Sequence, residues 1–193
     1  MPRVKTPTPI YSLKVTLLRT EPPIWRRIEV PSSIKLCCLH SAIQISMGWT
    51  DSHLHQFEKD EKKWGMIDLD EIDTSLLDEK PVPVSTLLTS AGDAMIYRYD
   101  FGDGWRHQVV LEKILPPEAA KVPICIDGQR RCPPEDVGGI PGYERFLEII
   151  FDPTHAEYEQ YVTWVGGHFH DTFDRKAVNQ ILSRMRWPVR HPW

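Results

Sequence analysis

Histidines at two-residue spacing are the feature of this sequence that most directly suggests metal chemistry. His53 and His55 form one such pair, and His168 and His170 form another. On an extended segment, residues two apart point to the same side, so both rings of a pair can reach one ion. Neutral imidazole and carboxylate are expected ligands of zinc and iron. Each pair is a candidate half of a metal site, although surface or loop histidines without a metal are the favoured interpretation.

A divalent cation is the one cofactor that this hypothesis implies. Its candidate ligands are His53, His55 and His107, and Glu135 or Asp136 would serve as the base. Water bound to a metal becomes a nucleophile near neutral pH, and a neighbouring carboxylate can accept its proton. The corresponding function is a metal-assisted hydrolase or nuclease.

A central β-hairpin is predicted over residues 97–112. Asp103–Gly104 is a favoured pair for a two-residue type I′ turn, because both positions need positive φ. That turn would place Asp100 directly opposite His107, where a carboxylate orients an imidazole and raises its pKa. The favoured interpretation of the pair is an ordinary cross-strand ion pair. A four-residue loop would instead place Arg98 opposite His107.

The same turn decides which side chains share a face of the hairpin. Strand alternation puts Asp100 and His107 on one face, and Tyr97 and Tyr99 on the other. With the acidic pair of the later loop, the candidate catalytic residues are Asp100, His107, Glu135 and Asp136.

A loop over residues 125–143, rich in Pro, Gly and Cys, is predicted to face this hairpin across a polar cleft. The gap of six residues between Cys125 and Cys132 is longer than the usual spacing of zinc ligands. Nothing adjacent supplies a base for a cysteine nucleophile, so we expect structural or binding thiols. The candidate binding residues are Tyr97, Tyr99, Asp103, Trp105, Cys125 and Cys132.

Strands precede helices along the chain. Alternation predicts strands at Ile10–Leu17 and Ile24–Val30, followed by a helix from Ile34 that Ser32 or Ser33 caps. Gly48 should end this helix.

Three helices are predicted in succession after Gly142, the second of them starting at Asp152–Pro153. The fold class is therefore α+β, with a mostly antiparallel sheet, an N-terminal ββα unit, a central hairpin and a C-terminal run of helices. We expect a flexible N-terminus at 1–9, a single domain at 10–186 and a tail at 187–193 that holds Trp187 and Trp193.

Charge is unevenly distributed in a chain whose net charge is −4. Residues 1–50 carry five more basic than acidic residues, residues 51–80 carry six more acidic than basic, and residues 175–193 carry five basic and no acidic residues. Solvated faces explain this pattern better than a nucleic-acid surface, because no binding motif accompanies it. No segment resembles a signal peptide or a membrane span, so we expect a cytoplasmic protein.

Several motifs together resemble the plasmid pRiA ORF-three-like family, over about Tyr11 to Leu182. They are Trp49, His53 to Phe57, Tyr97 to His107, Cys125 to Gly128, Pro133 to Gly139, Gly142–Tyr143, Trp164, Gly166–Gly167 and Phe173–Asp174. Family members tend to read Gly-Gly-x-Phe-Asp-Pro where this chain has Gly166 to Asp171, so the second histidine pair is particular to this protein. The resemblance implies a small α+β protein associated with mobile elements, with some members labelled resolvase-like.

Three functions remain open at this point. The absence of a complete catalytic constellation favours a non-enzymatic binding module that takes a protein or small ligand in the cleft between the 97–112 hairpin and the 125–143 loop. The metal-assisted hydrolase or nuclease is the first alternative. The second is a DNA-binding accessory protein of mobile elements that uses the basic ends.

Overall fold

An eight-stranded sheet is the frame of the molecule, in a computed structural model that describes residues 7–67, 75–117 and 123–185. Its strands are β1 (Ile10–Leu17), β2 (Ile24–Pro31), β3 (His55–Lys59), β4 (Lys62–Gly65), β5 (Leu76–Asp78), β6 (Ala94–Tyr99), β7 (Trp105–Leu115) and β8 (Ile124–Gln129). The predicted tail at 187–193, with Trp187 and Trp193, lies outside the described residues.

The strand order is β5-β4-β3-β6-β7-β1-β2-β8. Only the β4–β5 pair is parallel among the described strands, so the prediction of a mostly antiparallel sheet in an α+β fold is confirmed. This order matters for the site, because it sets β3 beside β6. The segment just before β3 is thereby brought next to the β6–β7 turn.

The first helix, α1 (Leu36–Met47), completes the predicted ββα unit. The chain stays extended through Lys35, and the helix has no side-chain cap, so the prediction that Ser32 or Ser33 caps it is wrong. Gly48 ends it in the left-handed conformation at φ 90°, as predicted. Eleven of its twelve residues are buried, so polar residues of α1 lie inside the molecule and need internal partners.

The C-terminal run of helices is confirmed as α2 (Gly139–Ile150), α3 (Tyr158–Trp164) and α4 (Arg175–Arg184). The predicted start of the second helix is wrong. Asp152 instead accepts a hydrogen bond from the Thr154 backbone within a turn, and α3 begins six residues later. A short 3-10 helix, Val84–Thr86, precedes β6.

No helix within residues 7–67, 75–117 and 123–185 has both the length and the apolar character that a bilayer crossing requires.

Candidate functional site

The β6–β7 hairpin has a different register from the predicted one. Tyr97 faces His107 and Tyr99 faces Trp105, so the connection is a five-residue loop from Asp100 to Gly104. The two-residue turn and the opposition of Asp100 to His107 are therefore wrong. The predicted faces are wrong as well, because both tyrosines share the buried face with His107.

Asp100 explains the longer loop. Its backbone takes a left-handed φ of 52°, and its Oδ1 accepts hydrogen bonds from the amides of Gly102 at 2.9 Å and Asp103 at 3.2 Å. Short acidic side chains tolerate this backbone conformation and close turns in this way. One carboxylate oxygen thus holds the loop, and the other is left for a different partner.

That partner is His53, which precedes β3. Its Nε2 lies 3.7 Å from Asp100 Oδ2, 3.9 Å from Glu135 Oε2 and 3.3 Å from Asp136 Oδ1. We call these four residues the His53 cluster. It joins the start of β3, the hairpin loop and the loop before α2, so three of the four predicted catalytic candidates converge on one predicted metal ligand.

Glu135 is held firmly within this cluster. Its Oε1 accepts hydrogen bonds from the Thr50 amide at 2.9 Å, the Thr50 hydroxyl at 3.2 Å and the Tyr99 hydroxyl at 3.0 Å. Burial raises the pKa of Tyr99, so its hydroxyl stays protonated and donates. All of these bonds fall on Oε1, which leaves Oε2 turned toward His53.

Two atoms of the His53 cluster are buried without a hydrogen-bond partner among the described residues, namely His53 Nε2 and Glu135 Oε2. Buried polar atoms are normally paired, because leaving one unpaired costs about 1–3 kcal/mol. The two atoms lie 3.9 Å apart, and the potential ligand atoms of His53, Asp100 and Asp136 all lie within 4.8 Å of one another. An imidazole nitrogen and carboxylate oxygens at such separations are the donors of a divalent-cation site.

The loop before α2 packs directly on the hairpin loop. The Gly138 amide donates to Asp103 Oδ2 at 3.2 Å, and a Cβ on Gly139 would lie 2.5 Å from the Asp103 carbonyl oxygen. Trp49 supports the same loop by donating from Nε1 to the Pro133 carbonyl at 2.9 Å. The predicted proximity of the hairpin and the 125–143 loop is present in the structure, with the His53 cluster at their contact.

Three cavities adjoin the His53 cluster. A groove of about 670 Å³ between the end of α1 and the helices α3 and α4 is lined partly by Glu135. Asp136 borders a second cavity of about 300 Å³, and His53 borders a third of about 240 Å³. Each cavity is lined by one member of the cluster, and the Asp136 side chain is 73% exposed.

The three predicted imidazole ligands do not meet. His53 precedes β3 and belongs to its own cluster, while His55, the first residue of β3, bonds Glu79. His107 is fully buried, donates from Nδ1 to the Tyr97 carbonyl at 3.3 Å, and has its pKa lowered to about 3 by burial. A single ion held by these three rings is not the arrangement in the structure.

The remaining predicted site residues lie in the core or apart from the His53 cluster. Tyr97 and Trp105 are buried on the inner face of the hairpin. Burial raises the pKa of both Cys125 and Cys132 to about 11, so neither is a thiolate near neutral pH. His168 and His170, the second predicted pair, are both exposed and belong to none of the potential ligand groups among the described residues.

A second polar cluster lies inside the molecule, and sequence reasoning missed all but one of its members. His40 on α1 stacks on His55 with ring centroids 3.5 Å apart, and His40 Nε2 lies 2.6 Å from Asp51 Oδ1. His55 Nε2 lies 2.9 Å from Glu79 Oε2. Burial lowers the pKa of His40 to about 4. Cys37, His40 and Gln44 recur at helical spacing in α1, and this row of polar residues is the sequence pattern from which a buried polar cluster could have been predicted.

Comparison with known proteins places the chain among relatives of unassigned function. The model of the family described as plasmid pRiA4b ORF-3-like protein matches residues 9–180. The uncharacterized protein y4hQ of Sinorhizobium fredii is 37% identical over 182 residues, which cover 91% of this chain and 93% of that protein. The crystal structure of a protein of unknown function, MM3350 from Methanosarcina mazei Go1, matches with a TM-score of 0.79 and 40% identity, over 90% of this chain and 98% of that chain.

Proposed function

The chain belongs to the plasmid pRiA4b ORF-3-like protein family, and we propose that it is a binding protein whose ligand is a divalent cation at the His53 cluster. The observation that carries the proposal is the position of His53 Nε2, a buried atom without a hydrogen bond in the described part of the chain that lies within 3.9 Å of the carboxylates of Asp100, Glu135 and Asp136. Of these, Asp100 and Asp136 form with His53 a group of potential ligand atoms within 4.8 Å of one another. The proposal differs from the predicted binding module, which takes a protein or small ligand in a cleft, because its ligand is an ion at the contact of hairpin and loop.

The spacing of the cluster supports a bound ion. Two ligands about 2.1 Å from one ion in tetrahedral geometry lie about 3.4 Å apart. The distances from His53 Nε2 to the three carboxylates run from 3.3 to 3.9 Å. Small side-chain shifts would therefore allow the imidazole and the carboxylates to coordinate an ion.

The donor set indicates which ions fit. One imidazole with the two carboxylates of Asp100 and Asp136, and a third carboxylate from Glu135 nearby, is richer in oxygen than a structural zinc site, and carboxylates suit Mn²⁺ and Mg²⁺. The imidazole nitrogen favours Mn²⁺ of these two, because nitrogen ligands suit transition metals. Mn²⁺ is therefore the ion with which to test the site.

Metal-assisted hydrolysis is the second candidate function, favoured by three cavities that are each lined by one residue of the His53 cluster. A substrate in the 670 Å³ groove would approach the ion from the side of Glu135, while Asp136 borders another opening. A bound ion would lower the pKa of a water molecule that it coordinates, and a carboxylate of the cluster that does not coordinate the ion would accept the proton from that water. Here Asp100, Glu135 and Asp136 keep their predicted catalytic role, and His107 does not.

Binding of Mn²⁺ to the full chain tests the proposal. After chelator treatment, titration with Mn²⁺ followed by the loss of the free-ion EPR signal should show one site. The variant His53→Ala should weaken binding at least tenfold, as expected for loss of a ligand. The matched control His168→Ala removes an exposed histidine outside the cluster and should leave binding unchanged. Failure of the wild-type chain to bind Mn²⁺, or equal binding by His53→Ala, would overturn it.

Hydrolysis is tested on the Mn²⁺-loaded chain with a chromogenic phosphodiester. Turnover that disappears in Asp136→Asn, while Mn²⁺ still binds, would support the hydrolase. If the loaded chain binds Mn²⁺ and shows no turnover, the binding function stands alone.

A further inference from the structure

We propose a second metal site, for a transition metal of the Zn²⁺ class, at His40, Asp51, His55 and Glu79. This site is separate from the His53 cluster and shares no ligand with it. Its three potential ligand atoms from His40, Asp51 and His55 all lie within 4.8 Å of one another. The Glu79 carboxylate adds a fourth donor, 2.9 Å from His55 Nε2.

The four donors come from four places in the chain that the fold brings together. His40 lies on the buried helix α1, Asp51 follows that helix, His55 begins β3, and Glu79 follows β5. Two imidazoles with two carboxylates are ligands that zinc sites use, whereas the His53 cluster has one imidazole. The two sites therefore differ in the ions they prefer.

Tyr97 and Gln44 orient the ligands of this second site. His40 Nδ1 lies 2.7 Å from the Tyr97 hydroxyl, which also accepts a bond from Gln44 Nε2 at 2.9 Å. Gln44 Oε1 accepts the Asp51 amide at 3.1 Å, and Asp51 holds a left-handed φ of 58°. The 2.6 Å contact of His40 Nε2 with Asp51 fits a proton on Nε2, with the Tyr97 hydroxyl donating to Nδ1. Loss of the Nε2 proton on metal binding would free its lone pair for the ion, while Tyr97 continues to hold the ring through Nδ1. Metal-binding histidines are typically oriented through their other ring nitrogen in this way.

Binding requires a small rearrangement that the surroundings allow. The His40 and His55 rings are parallel to within 7°, and an ion in the plane of both rings needs them to tilt apart. A cavity of about 240 Å³, lined by all four donor residues, gives room for the ion and the tilt. The contacts of His40 with Asp51 and of His55 with Glu79 would be replaced by bonds to the metal.

The experiment uses His53→Ala as the background, because this variant removes the imidazole ligand of the His53 cluster and weakens binding there at least tenfold. Co²⁺ is the probe, because its visible absorption bands report nitrogen and oxygen ligands directly, and Zn²⁺ should displace it. We expect one equivalent of Co²⁺ to bind with these bands. Adding Asp51→Asn should weaken binding at least tenfold, and adding His55→Gln should abolish the bands.

The Asp51→Asn variant should fold normally, because the Asp51 side chain is 42% exposed and Asn has the same shape. Weaker Co²⁺ binding by this variant would therefore report the loss of a ligand and not a loss of folding. Adding His168→Ala serves as the matched control and should change nothing. If the His53→Ala chain binds no Co²⁺, or if Asp51→Asn and His55→Gln bind it as well as their parent, the second site is refuted. Since Mn²⁺ binding by the wild-type chain tests the His53 cluster, the two proposals fail separately.

Discussion

Tyr99 and Glu135 are joined by a hydrogen bond of 3.0 Å from the tyrosine hydroxyl to Oε1 of the carboxylate. Tyr99 also accepts the Ser52 amide at 3.1 Å, and its ring packs against Trp49 and His53. The tyrosine thus fixes both the acidic loop and the segment that carries His53. Its role in the proposed cation site is to position a ligand, without contacting the ion.

Replacement of Tyr99 by Phe should weaken Mn²⁺ binding about tenfold to a hundredfold, the range typical for groups that orient metal ligands. Glu135 would lose one of the three bonds that turn Oε2 toward His53. The loss of the free-ion EPR signal during Mn²⁺ titration measures this change.

Tyr97→Phe is the matched control, because Tyr97 lies two residues away on the same strand and is equally buried. Its hydroxyl contacts His40 and Gln44 and has no hydrogen bond to the His53 cluster. This variant should bind Mn²⁺ normally but bind Co²⁺ more weakly at the second site. Equal effects of both variants on both ions would contradict the separation of the two sites.

A side chain on Gly139 should disrupt the contact of the two loops. The residue has φ of 67°, and an added Cβ would lie 2.5 Å from the Asp103 carbonyl oxygen. Gly166 has a similar φ of 76° with no atom within 4 Å of an added Cβ. Left-handed backbone costs other residues about 1–2 kcal/mol, so both Ala variants should lose that much stability.

Gly139→Ala should lose about 1–3 kcal/mol more than Gly166→Ala, in the range of overpacking costs. Urea denaturation of the two variants measures the difference. Mn²⁺ affinity should fall only in Gly139→Ala, because the loop that carries Glu135 and Asp136 must shift. Equal losses in the two variants would show that the loop yields without cost.

Much of the frame could be predicted from local pattern. Alternation located β1, β2 and the hairpin, and Gly48 ended α1 as expected. The positions of these elements are set by the conformational preferences of residues that are close together in the sequence. The predicted register of the hairpin was wrong, because the Asp100 side chain closes a longer loop than the predicted two-residue turn. The Asp103–Gly104 pair favours a two-residue turn, and it carries no information about the hydrogen bonds that Asp100 makes within the longer loop.

The site could be predicted only as a set of residue types. Asp100, Glu135, Asp136 and His53 were all candidates, but their grouping depends on β3 lying beside β6 and on Gly139 touching Asp103. These contacts join residues far apart in sequence, and no local period encodes them. His40 and Glu79 were missed for a different reason. Each is a single polar residue within an apolar or irregular segment, and its partner lies in another element.

Acid should destabilise the protein partly through His107. Burial lowers its folded-state pKa to about 3 from an ordinary value of 6.5, so the unfolded chain binds a proton first as the pH falls. The stability that the neutral ring contributes is complete above about pH 6.5 and is lost as the pH falls toward 3, by about 1.4 kcal/mol per pH unit.

The variant His107→Gln removes this contribution, and His168→Gln is the exposed control. Urea denaturation between pH 7 and pH 4, in the presence of chelator, should give a shallower pH dependence for His107→Gln than for the wild type. His168→Gln should follow the wild type. Parallel curves for all three proteins would show that His107 does not titrate differently on unfolding.

Arg26 and Arg27 are neighbours on β2, but Arg26 is buried and Arg27 is partly exposed. Replacing each by Lys should compare the stability contributed by buried guanidinium hydrogen bonds with that of a partly exposed ion pair. Arg26 is 1% exposed, and its guanidinium donates to the carbonyls of Ser46 at 2.7 Å and Gln129 at 2.9 Å and lies over the Phe173 ring at 4.0 Å. A lysine cannot reproduce this planar set of donors, so buried carbonyls would lose their partners. Arg26→Lys should therefore cost about 2–4 kcal/mol of stability.

Arg27→Lys should cost less than about 1 kcal/mol, because its ion pair with Glu112 at 2.6 Å is partly exposed and a lysine can keep it. Urea denaturation of both variants at pH 7 measures the two costs. Arg26 joins β2 to α1 and β8, at the base of the groove that reaches Glu135. Equal stability of Arg26→Lys and Arg27→Lys would show that the hydrogen bonds of the buried guanidinium contribute little to holding β2, α1 and β8 together beside the groove.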